Sequence, residues 1–127
     1  MTNQIKEFIR SEFVEQSHVV EWLKMKHPEI LFTISCAGLN GRMMGRAKKM
    51  GYSKGTPDLF LFTKNKKYSC LFIELKTKKG IISKEQKEWI GNLNKIGCYY
   101  ATVCYGFDEA IKTIEDYIND KELPSMQ

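Results

Sequence analysis

The 127-residue sequence has only three prolines and two histidines, and no run in it approaches the roughly 18 consecutive apolar residues of a membrane-spanning helix. Its opening, MTNQIKEFIRSEF, is polar and charged, so no secretory signal and no membrane association are expected. The four cysteines, Cys36, Cys70, Cys98 and Cys104, make no CxxC pair, and three sit in apolar runs where a thiol packs as a small hydrophobe. That pattern argues against a zinc site and a disulfide framework, and leads to a reduced, cytoplasmic setting. No repeat, low-complexity tract or Pro/Gly linker divides the chain. Residues 1–127 therefore read as one domain with one modest core.

The scarcity with most chemical content is local. Twenty Lys and Arg against fifteen Asp and Glu give a net charge of +5, a mild lean towards anionic partners. Between Arg42 and Lys84, however, stand twelve of the twenty basic residues and only two of the fifteen acidic ones, Asp58 and Glu74. The remainder of the chain is acidic in excess. A basic middle that retains two carboxylates calls for an explanation.

Hydrophobic periodicity predicts a helix over residues 3–26, with Ile5, Phe8, Ile9, Val19, Val20 and Leu23 on one stripe and Pro28 beyond its end. A short strand is expected over 31–36. A glycine-rich basic connection follows, with a helical turn around Arg46 to Met50. Residues 58–63 and 68–77 read as strands of a hairpin about the polar turn KNKK. Ser83-x-x-Gln86 has the form of a capping box opening a helix with Trp89, Ile90, Leu93 and Ile96 on its inner face and Gly97 at its end. Residues 98–104 form a strand, and Asp108 is expected to cap a last helix carrying Ile111, Ile114 and Ile118. The order α-β-β-β-α-β-α implies a mixed sheet flanked by helices, with a right-handed β-α-β crossover.

Glu74 and Lys76 lie two apart in LFIELKT, so a strand projects both to one face. A hairpin centred near Lys66 would set Asp58 opposite Glu74. Like charges so placed destabilise a sheet unless a shared proton, a lysine or a divalent cation offsets them. On the first helix, about 100° per residue puts Glu12 and Gln16 within about 20° of Ile5, in the middle of the apolar stripe, and Glu15 on its flank. A carboxylate facing the core must be paired, protonated or bound to metal. Each signal also has a plainer reading. Glu74–Lys76 can be a simple ion pair, Asp58 a turn residue, Glu12 half of a salt bridge and Gln86 only a capping-box partner. Trp22 and Trp89 suit packing, and the basic loop suits a solvated face. The conjunction of three carboxylates and a lysine is what favours a shared pocket.

Gly55-Thr56-Pro57-Asp58-Leu59 followed by Ile73-Glu74-Leu75-Lys76 resembles the PD-(D/E)xK nuclease signature, and the wider setting is similar to the VRR-NUC family of small phage-type nuclease domains. Glu12 and Gln16, Gly41-Arg42, Lys48-x-x-Gly51 and Ser83-x-x-Gln86-x-x-Trp89 extend the likeness from Glu12 to Ile118. Thr56 departs from it, standing where relatives often carry a small apolar residue. The resemblance implies an αβββαβ core of the α/β class and hydrolysis of DNA phosphodiesters with Mg²⁺ or Mn²⁺. It implies that Asp58, Glu74 and the Leu75 carbonyl hold the metal with Glu12, while Lys76 orients or deprotonates the attacking water. Gln16, Arg42, Arg46, Lys48, Lys49, Lys54, Lys78 and Gln86 are the corresponding DNA-binding residues.

By the same resemblance the chain is a homodimer acting on branched DNA such as four-way junctions, in the host cytoplasm if phage-encoded. Two other readings stay open: a restriction-type or nicking endonuclease on duplex DNA, and a catalytically idle DNA-binding module. The latter gives no reason for a like-charge pair to persist in a basic groove. A histidine-based nuclease is disfavoured, since His18 and His27 sit on the polar side and at the end of the first helix.

Overall fold

A computed structural model describes residues 3–35 and 41–125, the side chains of residues 4–11, 41 and 42 excepted. The chain runs α1 (Asn3–Lys26), β1 (Leu31–Ile34), α2 (Gly41–Lys49), β2 (Leu59–Phe62), β3 (Cys70–Lys76), α3 (Lys84–Lys95), β4 (Tyr99–Tyr105) and α4 (Phe107–Ile118). One sheet has the order β1-β2-β3-β4. Its first two pairings are antiparallel, and β3 pairs with β4 in parallel through the α3 crossover. The expected mixed sheet flanked by helices is present.

Strand alternation decides which side chains meet the core. Leu59 and Leu61 of β2 pair with Ile73 and Leu71 of β3, and all four are buried on one face. Val19 and Leu23 of α1, with Ala110, Ile114 and Tyr117 of α4, close over that face in one cluster. The register also fixes the site. Leu59↔Ile73 continues by one step to Asp58 beside Glu74, the opposition anticipated from the hairpin. Asn65 holds the turn between β2 and β3, its Oδ1 accepting from the N–H groups of Lys67 and Tyr68.

Four expectations need correction. The basic connection holds a nine-residue helix, α2, not a single turn; Gly41 and Gly45 weaken the helical signal there without preventing it. Asp108 does not cap α4. The cap position is Gly106, at φ 98°, and the first free N–H, on Phe107, donates to Glu15 Oε2 at 2.7 Å. A carboxylate from another helix has displaced the local one. Ile96 lies beyond α3 and is exposed, and Trp89 is only half-buried, so of the four residues expected on the inner face of α3 only Ile90 is buried. Finally, β1 ends at Ile34, and Asp58 precedes β2. Expectations for the side chains of Ile5, Phe8, Ile9 and Arg42, and for Cys36, lie outside the described residues.

Candidate active site

At the C-terminal end of β3 the alternation brings Glu74 and Lys76 to the same face, both buried. Asp58 enters from the residue before β2, and its Oδ2 accepts a 2.8 Å hydrogen bond from the Leu75 N–H. It is thus the N–H side of Leu75 that orients the aspartate. Gln86 arrives from the first turn of α3. Its Oε1 accepts from Ser83 N, completing the capping box, while its Nε2 donates to Glu74 Oε1 at 2.7 Å. Gln86 is thus the capping-box partner of Ser83 and at the same time a hydrogen-bond donor to Glu74.

Lys76 links this group to the first helix. Its Nζ is 3.6 Å from Glu74 Oε1 and 3.8 Å from Glu12 Oε1. The backbone of Lys76 is fixed as well, because Gly106 N donates to its carbonyl at 2.8 Å where β4 leads into α4. Glu15 binds the adjacent Phe107 N–H, so the α1 segment carrying Glu12 is pinned beside the end of β3. Glu12 and Glu15 of α1 have separate partners: Glu12 faces the cluster and Glu15 holds α4. Spacing along α1 already set Glu12 apart, but the partner of Glu15, ninety-two residues away, left no local signal.

Burial sets the electrostatics. Desolvation raises the Glu74 carboxyl from its ordinary 4.5 to about 8, helped by the charge of Asp58 and opposed by Lys76. Asp58 is also raised by desolvation, against the Leu75 N–H and Lys76, which favour its ionised form. Glu12 moves the same way, again chiefly through burial. Three carboxyl groups thus resist ionisation, and among the described residues Lys76 is the one cation in ion-pair reach of them. Glu74 Oε2 and Glu12 Oε1 are buried with no hydrogen-bond partner, a costly state for acceptor atoms. Among the described residues no three His, Cys, Asp or Glu side chains are gathered at metal-holding spacing, the Lys76 ammonium standing between Glu12 and Glu74. The donor set is nevertheless all oxygen, with unpartnered lone pairs, and by its chemistry fits a hard divalent cation.

Gly55 fits the loop before Asp58 onto α3. It adopts φ +94°, and a Cβ there would lie 2.6 Å from the Glu85 carbonyl carbon. Gly55→Ala is expected to push the loop off the first turn of α3 and break the Gln86–Glu74 hydrogen bond. The backbone conformation alone costs about 1–2 kcal/mol, so thermal unfolding and catalytic rate should both fall. Unchanged stability would show that the close approach is dispensable.

The other expected DNA-binding residues lie on α1, on α2 and the loop after it, and just after β3. Arg46, Lys48 and Lys49 are exposed on α2, Lys54 is exposed on the following loop, and Lys78 is exposed just after β3. Gln16 is half-buried on α1. No helix among the described residues is long and apolar enough to cross a membrane.

The model of the VRR-NUC domain family matches residues 2–108. A solved structure described as a VRR_NUC domain protein is similar over 92% of this chain and 96% of its own, with 28% sequence identity and a TM-score of 0.72. No curated protein matches.

Proposed function

The chain belongs to the VRR-NUC family of nuclease-type domains, and we propose that it is a divalent-metal-dependent endonuclease cutting branched DNA, such as four-way junctions. The observation that carries this reading is the pairing of half-buried Asp58 with buried Glu74, oriented by Leu75 N–H and Gln86 and beside Lys76. Asp58, Glu74 and the Leu75 carbonyl would hold Mg²⁺ or Mn²⁺, with Glu12 completing the set. Such an ion, when bound, supplies Lewis-acid polarisation of the scissile phosphodiester. Lys76 orients the attacking water and offsets charge developing on the phosphoryl oxygens. Gln86 keeps Glu74 aimed at the same point.

Arg42, Arg46, Lys48, Lys49, Lys54 and Lys78, with Gln16, hold the phosphate backbone on either side of the cut. Contacts of this kind position DNA without reading its sequence, which favours recognition by shape. A two-fold dimer presents two acid clusters to two strands and suits paired incision. Met43, Met44 and Met50, on and just beyond α2, are the proposed contact, Met43 and Met50 being exposed and Met44 half-buried.

Cleavage of labelled linear duplex, single strand, splayed fork and four-way junction, each with Mg²⁺, Mn²⁺ or EDTA, tests the proposal. Paired, metal-dependent cuts in the junction support it. Preferential cutting of one duplex sequence favours the restriction-type or nicking reading, and binding without cutting under every metal favours an idle module. Replacing both Lys48 and Lys49 by Ala should weaken binding to every DNA shape and reduce the slope of log K against log salt by about 2, near one per lost phosphate contact. Loss confined to one sequence would contradict backbone recognition.

A further inference from the structure

Next to the Gly55–Glu85 contact opens a cavity of about 510 Å³, of whose lining only Lys54 has a part in the proposed function. Ser53 and Lys54 form one wall. Glu85, Glu88, Trp89 and Asn92 form the other, at positions i, i+3, i+4 and i+7 of one α3 face. The size lies within the roughly 300–1,000 Å³ of small-ligand pockets. Its composition is unlike that of the surrounding basic surface. A half-buried indole supplies a π-face, Asn92 supplies a donor and an acceptor, and two carboxylates supply acceptors alone. Two carboxylates beside one lysine repel phosphate. They suit a planar group with N–H donors on its edge, as in the pairing of Glu or Asp with an exocyclic amine of a base.

The position of the cavity ties it to the reaction. Glu85 precedes Gln86, whose amide holds Glu74, and Glu85 is also the residue against which Gly55 packs, three residues before Asp58. A wall of the cavity and the carboxyl pair are thus joined through the Gly55–Glu85 contact and the Gln86–Glu74 hydrogen bond. A strand whose phosphate lies at Asp58 and Glu74 would carry a neighbouring base into reach of Trp89. Lys54, on the rim, attracts the ionised Glu85 and can hold the intervening phosphate.

We propose that this cavity receives an unpaired nucleobase next to the scissile phosphate, stacked on Trp89 with its amino-bearing edge on Glu85, Glu88 and Asn92. The proposal rests on the nuclease reading and adds to it a demand: the strand to be cut must offer an unstacked base, as it does at a branch point, bulge or flap and not within a continuous duplex. Guanine, cytosine and adenine carry the amino donors, whereas thymine does not.

Binding in EDTA separates this inference from catalysis. In a Trp22→Phe background Trp89 is the remaining indole, and its fluorescence should be quenched by short oligo-dC and much less by oligo-dT. Trp89→Ala should weaken binding to DNA with a single-base bulge by about 5- to 150-fold, the effect of losing one base–aromatic stack. Affinity for blunt duplex should stay unchanged, and Trp89→Phe should restore most of the loss. Equal weakening on bulged and blunt DNA, or none on either, overturns the proposal. If Trp89→Ala fails to fold, the quenching experiment decides, and absence of quenching by every oligonucleotide overturns it. Quenching that persists in a protein unable to cut would leave the base pocket standing and the nuclease reading refuted.

Discussion

Asp58→Asn and Glu74→Gln are each expected to reduce DNA cleavage by roughly 10³-fold or more, equivalent to several kcal/mol of transition-state stabilisation, while DNA binding persists. Both substitutions keep shape and volume. An asparagine at position 58 would still offer a carbonyl oxygen to the Leu75 N–H, and a glutamine at position 74 can still accept from Gln86. The fold should therefore survive in each case. Only the charge is lost, and with it the means of holding a cation in a site where desolvation already opposes ionisation. Binding is expected to persist through the basic residues of α2, Arg46, Lys48 and Lys49, which neither substitution alters. Gel-shift and cleavage assays on the same preparations separate the two effects. Full cleavage by either variant would remove that carboxylate from the site.

The metal-free protein should lose stability as pH rises from about 4.5 to about 8. In the unfolded chain Glu74 has released its proton above its ordinary value of 4.5, while in the folded chain it keeps the proton up to about 8. Within that window the native state binds the extra proton, so by linkage its stability falls as pH rises, and the slope vanishes above the folded value. Asp58 and Glu12, both raised by burial, act in the same direction, and the acid pair titrates as a unit. The expected loss is on the order of 5 kcal/mol, read by urea unfolding in EDTA. Glu74→Gln should remove most of the slope and be the more stable protein at pH 8. Saturating Mg²⁺ should restore the wild type at pH 8, because a cation bound to the native state alone stabilises it by mass action. His27 is raised as well, principally by its hydrogen bond to Glu115, and contributes to the decline above about pH 6.5; His27→Gln isolates that share. Stability that stays flat or rises through the window would contradict the buried, protonated state of Glu74.

The acid cluster was legible because it is built from local rules. Period two placed Glu74 and Lys76 together, the short hairpin fixed the register that brings Asp58 alongside, and helical spacing singled out Glu12. Ser83 and Gln86 announced the start of α3 in four residues. What escaped reading depends on partners distant in sequence. Glu15 caps α4 from another helix, so Asp108 looked like the cap when no competitor was visible. Gly55 entered only as part of the motif string, and nothing local shows that α3 packs within 2.6 Å of a side chain there. Trp89 shares the period of an inner face, and only the position of the Ser53–Lys54 wall leaves its indole beside a cavity. Helix α2 was undervalued because Gly41 and Gly45 lower its propensity while the spacing of Met44 and Ala47 still supports it.

The decisive experiment is calorimetric titration of Mn²⁺ into wild type and Asp58→Asn at pH 7, repeated in buffers of different ionisation enthalpy. Wild type should bind the ion and release close to one proton per ion, because a carboxyl pair with Glu74 near 8 must ionise to receive it. Asp58→Asn should show neither the binding nor the release. Equal binding by both proteins, or binding without proton release, would place the cation away from Asp58 and Glu74 and contradict the assignment of the active site.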